Sequence, residues 1–425
     1  MSLTMLVTMI VCFVFSISIA VSIGVAGIVG ISVAQANMLI AVKEIFNSIN
    51  KFPLAAIPFF ILAGNLMETG GISKRLVDFA KSLVGGVQGG LAATCVLTCM
   101  IFAAISGSSV ATTFAIGAIL IPALVKHGYP LNYAAALQAT SAELGVIIPP
   151  SIPMILYGVA AEVSIGELFI AGFGPGVLIG GTLMVFVVIY ARLKGYGKND
   201  HEGKLPILVA GKQAWLALMM PVIILGGIYG GIFTPTEASV VAVFYALVLG
   251  VFIYRETRLV DLGPIFRKSV ISSAVVMFII ANAGLFSFMI TRAGVPEMIG
   301  TYLAETLKNP IYFLLGVNAA LFIIGMFIET SASIIVLAPI LAPVAIKFGV
   351  DPVHFGTIMV VNLALGMVTP PFGVNLFAAC TVANISLDRI IPRLLPFVVV
   401  VLACLMVITY FPPLTLFLRD LVYAR

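Results

Sequence analysis

Charge is the scarcest property of this chain. Of its 425 residues, 9% are Asp, Glu, Lys or Arg, 61% are hydrophobic, and the mean hydropathy is +1.21. Such a sequence cannot surround an ordinary core with a solvated surface, and it reads as an all-α polytopic membrane protein. Histidine is almost missing, at three residues. The five cysteines, Cys12, Cys95, Cys99, Cys380 and Cys404, all lie in apolar segments, without the loop pairs of a disulfide framework. Cys95 and Cys99 are one helical turn apart, but with no histidine near they read as packing rather than as a transition-metal site. The surplus of five positive charges comes from basic residues scattered over short loops, which speaks against a nucleic-acid partner. No P-loop is present, so direct nucleotide coupling is unsupported. The first charge is Lys43, and the apolar start from Leu3 to Ile31 therefore lacks the basic lead of a cleaved signal peptide. It is expected to remain as the first crossing.

Long apolar runs fill the rest. A connector, Gln35 to Lys51, leads to a span at Phe52 to Met67. Ile72, Leu76, Phe79 and Leu83 then mark the apolar face of an interfacial helix. From Ser82 to Val125 the chain carries no charge over roughly 44 residues, about 66 Å as helix. That is two helix lengths, with Ser106-Gly107-Ser108-Ser109 near the midpoint. Leu131 to Glu162, Ile165 to Leu193, a hydrophilic loop Lys194 to Lys212, and spans at Trp215 to Ile232, Glu237 to Tyr254 and Ile265 to Ile290 follow. Val295, Ile299, Tyr302, Leu303 and Leu307 form a second interfacial stripe. Asn309 to Ile346 repeats the long uncharged pattern, interrupted by Glu329-Thr330-Ser331-Ala332-Ser333. Pro352 to Asn384 and a last crossing, Ile391 to Leu418, complete the chain.

Two stretches should break their helices. Glu143 through Gly145-Val146-Ile147-Ile148-Pro149-Pro150-Ser151 sets a carboxylate, a glycine and two prolines inside an apolar segment. Its helix should stop near Val146 to Ile148 and restart with the prolines in the first turn. About 221 residues later Gly366-Met367-Val368-Thr369-Pro370-Pro371-Phe372 repeats the interruption. At that shift Pro122 falls on Pro343 and Gly128 on Gly349. Four regions follow: 1–51, a first helix and connector; 52–193, a first unit; 194–264, a loop and linking helix pair; and 265–425, a second unit. With the amino terminus cytoplasmic and both long runs re-entrant, about 15 basic residues lie inside and about 7 outside: Lys43, Lys51, Arg292, Lys308, Lys347, Arg419 and Arg425. The units then have opposite orientations, an inverted repeat. Charge alone does not separate re-entrant hairpins from double crossings. A buried Glu329 facing a matched polar tip favours re-entry.

Each tip supplies hydroxyls: Ser106, Ser108, Ser109, Thr112 and Thr113 in the first, Thr330, Ser331 and Ser333 in the second. Each break supplies free carbonyls before its prolines and free amides after them. Facing a tip with a break builds, twice, an oxygen-lined site for a small hard cation beside an anion-friendly surface. Sodium suits that donor set, and a transition metal does not. Helix packing is the plainer role for such hydroxyls. Glu143 and Glu329 are candidate coupling or tip-shaping carboxylates, Ser109, Ser151, Ser331 and Ser333 candidate substrate contacts, and Arg292 a residue that could greet an anion or anchor the interface.

The motifs Ile105-Ser-Gly-Ser-Ser-Val-Ala-Thr-Thr, Gly145-Val-Ile-Ile-Pro-Pro-Ser, Gly231-Ile-Phe-Thr-Pro-Thr-Glu-Ala-Ser and Gly366-Met-Val-Thr-Pro-Pro-Phe-Gly-Val-Asn resemble the large membrane subunit of tripartite ATP-independent periplasmic (TRAP) transporters. The wording around Phe52-Pro-Leu-Ala-Ala-Ile-Pro and Glu329-Thr-Ser-Ala-Ser is closest to the sialic-acid branch. The resemblance implies a sodium-driven importer of the bacterial inner membrane, working as an elevator. It also implies a periplasmic binding protein and a small four-helix (Q) subunit, here expected as a separate chain. Carried over by position, one sodium site falls on Ser106, Ser108, Gly145, Ile148 and Pro150, the other on Gly325, Thr330, Gly366 and Thr369. Competing readings are a stand-alone dicarboxylate or citrate carrier, an intramembrane hydrolase using Ser108 with Glu143 or Glu329, and a purely structural subunit.

Overall fold

The computed structural model describes residues 2–198, 200, 204–307 and 309–423. Lys308, Arg425 and the side chain of Leu303, named above, lie outside them. Nine helices are long and apolar enough to cross a membrane, and one bent pair makes a tenth if it is counted as a single span, among the described residues.

The amino-terminal run departs from expectation. It forms two helices, α1 (Ser2–Val14) and α2 (Ile19–Val33), parted at Ser16, whose φ is +57°. The pair packs antiparallel, with Gly30 against the Met5 side chain. The Ser16-Ile17-Ser18 turn interrupts a run longer than a bilayer needs, so the chain folds back where a single crossing was expected. The amino terminus is thereby returned to the end of the molecule carrying α3 (Leu39–Ile49).

After a single 3₁₀ turn come α4 (Ala56–Thr69) and the amphipathic α5 (Ile72–Val84), which buries Ile72 and Leu76 but leaves Leu83 exposed. Helices α6 (Gly90–Ser106) and α7 (Ser109–Lys126) form the first hairpin. The first broken helix is α8 (Leu131–Ala142), a short α9 (Leu144–Ile147), and α10 (Ile152–Ala160), bent by 43°. Next are α11 (Ile165–Lys194), α12 (Ile207–Tyr229), α13 (Pro235–Leu247, continued by a π-helical segment), and the 34-residue α14 (Leu259–Arg292). Helix α15 (Val295–Leu307) leads to the second hairpin, α16 (Pro310–Phe327) and α17 (Thr330–Lys347). The second broken helix is α18 (Pro352–Met367) and α19 (Val374–Ala383), and α20 (Leu387–Tyr410) and α21 (Pro413–Val422) close the chain.

In both breaks the proline pair stands between the helices, joined by a cis peptide bond, and not in the first turn of the restarted helix. Packing between the halves is reciprocal. Helix α10 lies on α17 while α19 lies on α7, and α11 lies on α18 while α20 lies on α8. Helices α4 and α14 pack on each other and on α13, α2 and α3 around these elements.

The base of each hairpin is tied to the segment that ends its own half. The 194–212 loop, read as hydrophilic, is anchored by a fully buried Asp200, whose carboxylate accepts from Tyr129 Oη (2.6 Å) and from the Leu91 amide (3.1 Å) at the start of α6. On the other half Asp351 caps α18, accepting from the amides of Val353 and His354, and pairs with Arg419 of α21 at 2.7 Å. Both bonds to Asp200 fall on Oδ2, with Oδ1 3.4 Å from His127 Nδ1, and such contacts offset part of the cost of burying a carboxylate.

Candidate ion and substrate site

The left-handed Gly107 (φ +62°) lets α6 end and α7 begin within two residues. Ser108 caps α7, its hydroxyl accepting from the Ala111 amide at 3.4 Å. Thr112 Oγ1 donates to the Ser108 carbonyl at 2.8 Å and lies 3.1 Å from Ser106 Oγ. The tip is seated in its break. The Ile152 amide reaches the Gly107 carbonyl at 3.4 Å, and a Cβ on Gly107 would lie 2.8 Å from the Pro150 carbonyl. A Cβ on Gly145 would lie 2.7 Å from both the Ser108 carbonyl and Thr112 Oγ1. Glycine is therefore required for this close approach, and Ser106, Ser108, Gly145 and Pro150 come together with Thr112. Ile148 is buried in the same break. Ser151 caps α10 and donates to the Val146 carbonyl at 2.5 Å, turning its hydroxyl inward on the break.

The second tip repeats the arrangement with different chemistry. Glu329 caps α17, accepting from the amides of Ser331 (2.8 Å) and Ala332 (3.2 Å) and from the Ser331 hydroxyl (2.8 Å). Gly325 and Gly366 meet backbone to backbone, leaving no room for a Cβ on Gly366 and little for one on Gly325. Thr330 Oγ1 contacts Met367 Sδ, and Thr369 Oγ1 donates to the Leu365 carbonyl at 2.8 Å. The Ser333 hydroxyl is buried without a partner among the described residues. Gly325, Thr330, Gly366 and Thr369 thus form a second cluster.

The halves are joined at Asn375, the second residue of α19. Its side-chain carbonyl accepts from Thr113 of the first tip at 2.6 Å, and its amide donates to the Ala139 carbonyl at 2.9 Å. Asn375 closes the last of the four motifs, where its sequence context alone gives it no role. Glu143 is buried, and neither of its carboxylate oxygens has a hydrogen-bond partner among the described residues.

Both tips open on one cavity of about 310 Å³, lined by Ser106, Ser108 and Ser109 from the first and Glu329 and Ser331 from the second. Its outer wall is α4 and α14, which contribute Glu68 and Lys268. Arg292 stands exposed at the end of α14 and does not line this cavity. In the sequence Lys268 is simply one of the inner basic residues, because nothing in its local context shows which way it faces.

The donors near each tip are hydroxyl and carbonyl oxygens, drawn close by glycines that a Cβ would push apart. No group of three or more His, Cys, Asp or Glu side chains able to hold a metal occurs among the described residues. The set fits a small hard monovalent cation.

Helical spans, interrupted twice around a shared cavity, define a multi-pass membrane transporter. The architecture is similar to that of the YdaH transporter of Alcanivorax borkumensis, at a TM-score of 0.64 and 16% identity over 87% of this chain and 86% of that one, a likeness of fold alone. The chain belongs to the family of the tripartite ATP-independent periplasmic transporter DctM component, whose model matches residues 6–414. It is 44% identical to the C4-dicarboxylate TRAP transporter large permease protein DctM of Pseudomonas aeruginosa, over 89% of this chain and 88% of that protein. An isethionate TRAP transporter permease protein, DctMQ of Oleidesulfovibrio alaskensis, is also 44% identical over 95% of this chain, which spans 64% of that longer protein. The sialic acid TRAP transporter large permease protein SiaM of Vibrio cholerae is 36% identical, over 90% and 89%. The wider family is therefore as read from the motifs, while proteins named for C4-dicarboxylates stand nearer than this sialic-acid one.

Proposed function

We propose that this chain is the sodium-coupled importing subunit for a small organic acid, with four-carbon dicarboxylates as the substrate class and sialic acid as the second reading. The seating of each hydroxyl-rich tip in its own broken helix, with both tips on one cavity, carries the proposal. The ranking of substrates rests on the relatives' names, 44% identity for the dicarboxylate protein against 36% for the sialic-acid one.

Bound sodium supplies positive charge that holds tip and break oxygens together. Ser106, Ser108, Gly145, Ile148 and Pro150 would hold one ion, with Thr112 beside them, and Gly325, Thr330, Gly366 and Thr369 the other. Ser109, Ser151, Ser331 and Ser333, with Glu143 and Glu329, shape the cavity or couple it to the ions. Arg292 serves the outer interface. An ordered tip binds the acid better, and by reciprocity the acid favours the ions.

The regions 52–193 and 265–425 act as an inverted repeat with re-entrant hairpins, a reading supported by the reciprocal packing of α10 on α17 and α19 on α7. Regions 1–51 and 194–264, with α4 and α14, serve as the scaffold against which the tips move in an elevator motion. A periplasmic binding protein delivers the acid. The small subunit is a separate chain, although a relative named DctMQ makes a fused form a real alternative. In the bacterial inner membrane the basic loops face the cytoplasm, and the carboxyl terminus faces the periplasm. In this proposal the amino terminus, returned by the fold-back of α1 and α2 to the side of α3, is periplasmic also, in place of the cytoplasmic position expected from the sequence.

Uptake of labelled acids into proteoliposomes with both partner proteins tests the proposal. Sodium-dependent accumulation of a four-carbon dicarboxylate is expected. Uptake without a sodium gradient overturns the coupling, and uptake without the binding protein favours a stand-alone carrier.

A further inference from the structure

The cavity wall presents two carboxylates and one ammonium group, a poor balance for admitting an organic anion. Glu329 already accepts three hydrogen bonds within its own tip, so its charge is fixed in place. Glu68 of α4 has a different partner. Its Oε2 lies 2.8 Å from Nζ of Lys268 on α14. Among the described residues Lys268 is the only positively charged one lining the cavity, and its side chain is 59% exposed, able to turn on its flexible stem. Ser272 and Val276 follow it at four-residue steps and also line the cavity, so this face of α14 looks onto the tips. Ser109, across the cavity, is almost fully buried.

We infer that Lys268 is the carboxylate-recognising group of the cavity wall and that Glu68 is its exchangeable partner. The incoming acid places one carboxylate on Lys268, displacing Glu68, while its other end lies against the tip hydroxyls. The two scaffold residues thus set a preference for dianionic over monoanionic acids. In the empty cavity Glu68 holds the ammonium in place, and in the loaded one it competes with the substrate. The inference rests on the transport reading above and adds a specificity residue to it.

The test measures KM and kcat for a four-carbon dicarboxylate and for its monoamide, in proteoliposomes holding the complete transporter. For Lys268→Gln the dicarboxylate KM should rise roughly fivefold, a modest factor because water screens a half-exposed charge, while the monoamide KM moves far less. Lys268→Arg should restore most of the loss. Glu68→Gln should lower the dicarboxylate KM, an opposite sign that simple damage to the fold does not produce. Raising the salt concentration should weaken dicarboxylate uptake by the wild type more than by Lys268→Gln. Equal KM changes for both acids in Lys268→Gln, or a raised dicarboxylate KM in Glu68→Gln, overturn the inference while leaving the transport function standing. If Lys268→Gln does not fold, the sign of the Glu68→Gln effect decides alone. A wild-type transporter that moves no organic acid overturns the function itself.

Discussion

The two tips do the same structural task with different chemistry. The first is neutral: Ser108 caps its helix, and Ser106 and Thr112 complete a hydroxyl cluster. The second is anionic, with Glu329 in the capping position that Ser108 holds in the first. Their surroundings differ as well. Residues 141–158 of the first break are all buried, whereas Pro371 and Phe372 of the second are exposed, Phe372 beside the exposed Phe327 at 5.8 Å between ring centres. A carboxylate costs more to bury than a hydroxyl, and the tip carboxylate Glu329 is only half-buried, although the first break holds a buried carboxylate of its own in Glu143. One backbone design can therefore hold two sites of unequal charge, provided the glycines that bring tip and break together are kept.

Those glycines should give the largest effect. Ala at Gly145 or at Gly366 adds a methyl where backbone already lies, costing about 1–3 kcal/mol of overpacking. The sodium concentration giving half-maximal uptake should rise roughly tenfold to a hundredfold for each. An effect at one glycine alone would mean that only one break is an ion site. Next in size is Glu329→Gln, which loses a charged cap worth about 1.5–3 kcal/mol, against about 0.5–2 kcal/mol for Ser108→Ala. Hydrogen exchange should show the second tip loosened more by its substitution than the first by its own, and the reverse order would break the comparison. Thr113→Val leaves the Asn375 carbonyl unpaired at the seam between the halves, at about 1–2 kcal/mol, and should lower thermal stability in detergent without changing the order of the two tips.

The smallest effect expected is at the base of the second hairpin. Burial raises the Asp351 carboxyl, but Arg419 and the amides of His354 and Val353 outweigh it and hold it below its ordinary value. A carboxyl lowered in the folded state adds stability above its unfolded pKa of about 4 and loses it as pH falls through the folded value. Wild-type melting temperature should therefore drop below about pH 4 by more than that of Asp351→Asn, with a difference of about 1 kcal/mol at neutral pH, since the pair is partly exposed. Equal pH profiles would show that the pair does not tie α21 to its half.

Much of this was legible in the residues. Gly145 and Gly366 with their proline pairs marked both breaks, and Ser106-Gly107-Ser108-Ser109 and Glu329-Thr330-Ser331 marked both tips, because proline and glycine act locally on the chain. The prolines' placement between the helices was not legible, nor was the fold-back at Ser16, since an unbroken apolar run is equally compatible with one long helix or two short ones. Asp200 and Lys268 escaped for another reason: Asp200 lies in a segment read as a hydrophilic loop and Lys268 near the start of the span Ile265 to Ile290, and only their partners, Tyr129 and Leu91 for one and Glu68 for the other, show what each does.

By itself the sequence determined that this chain is a multi-pass membrane protein and that two of its apolar segments are interrupted, each with oxygen donors nearby. Composition and backbone chemistry are enough for that, because they act on neighbouring residues. Tertiary structure alone decided that each tip sits in its own break, that Thr113 and Asn375, 262 positions apart, bridge the halves, and that Lys268 faces the shared cavity. Contacts over such separations depend on how helices pack, and in spans apolar on every face the local pattern does not say which partner a given face meets.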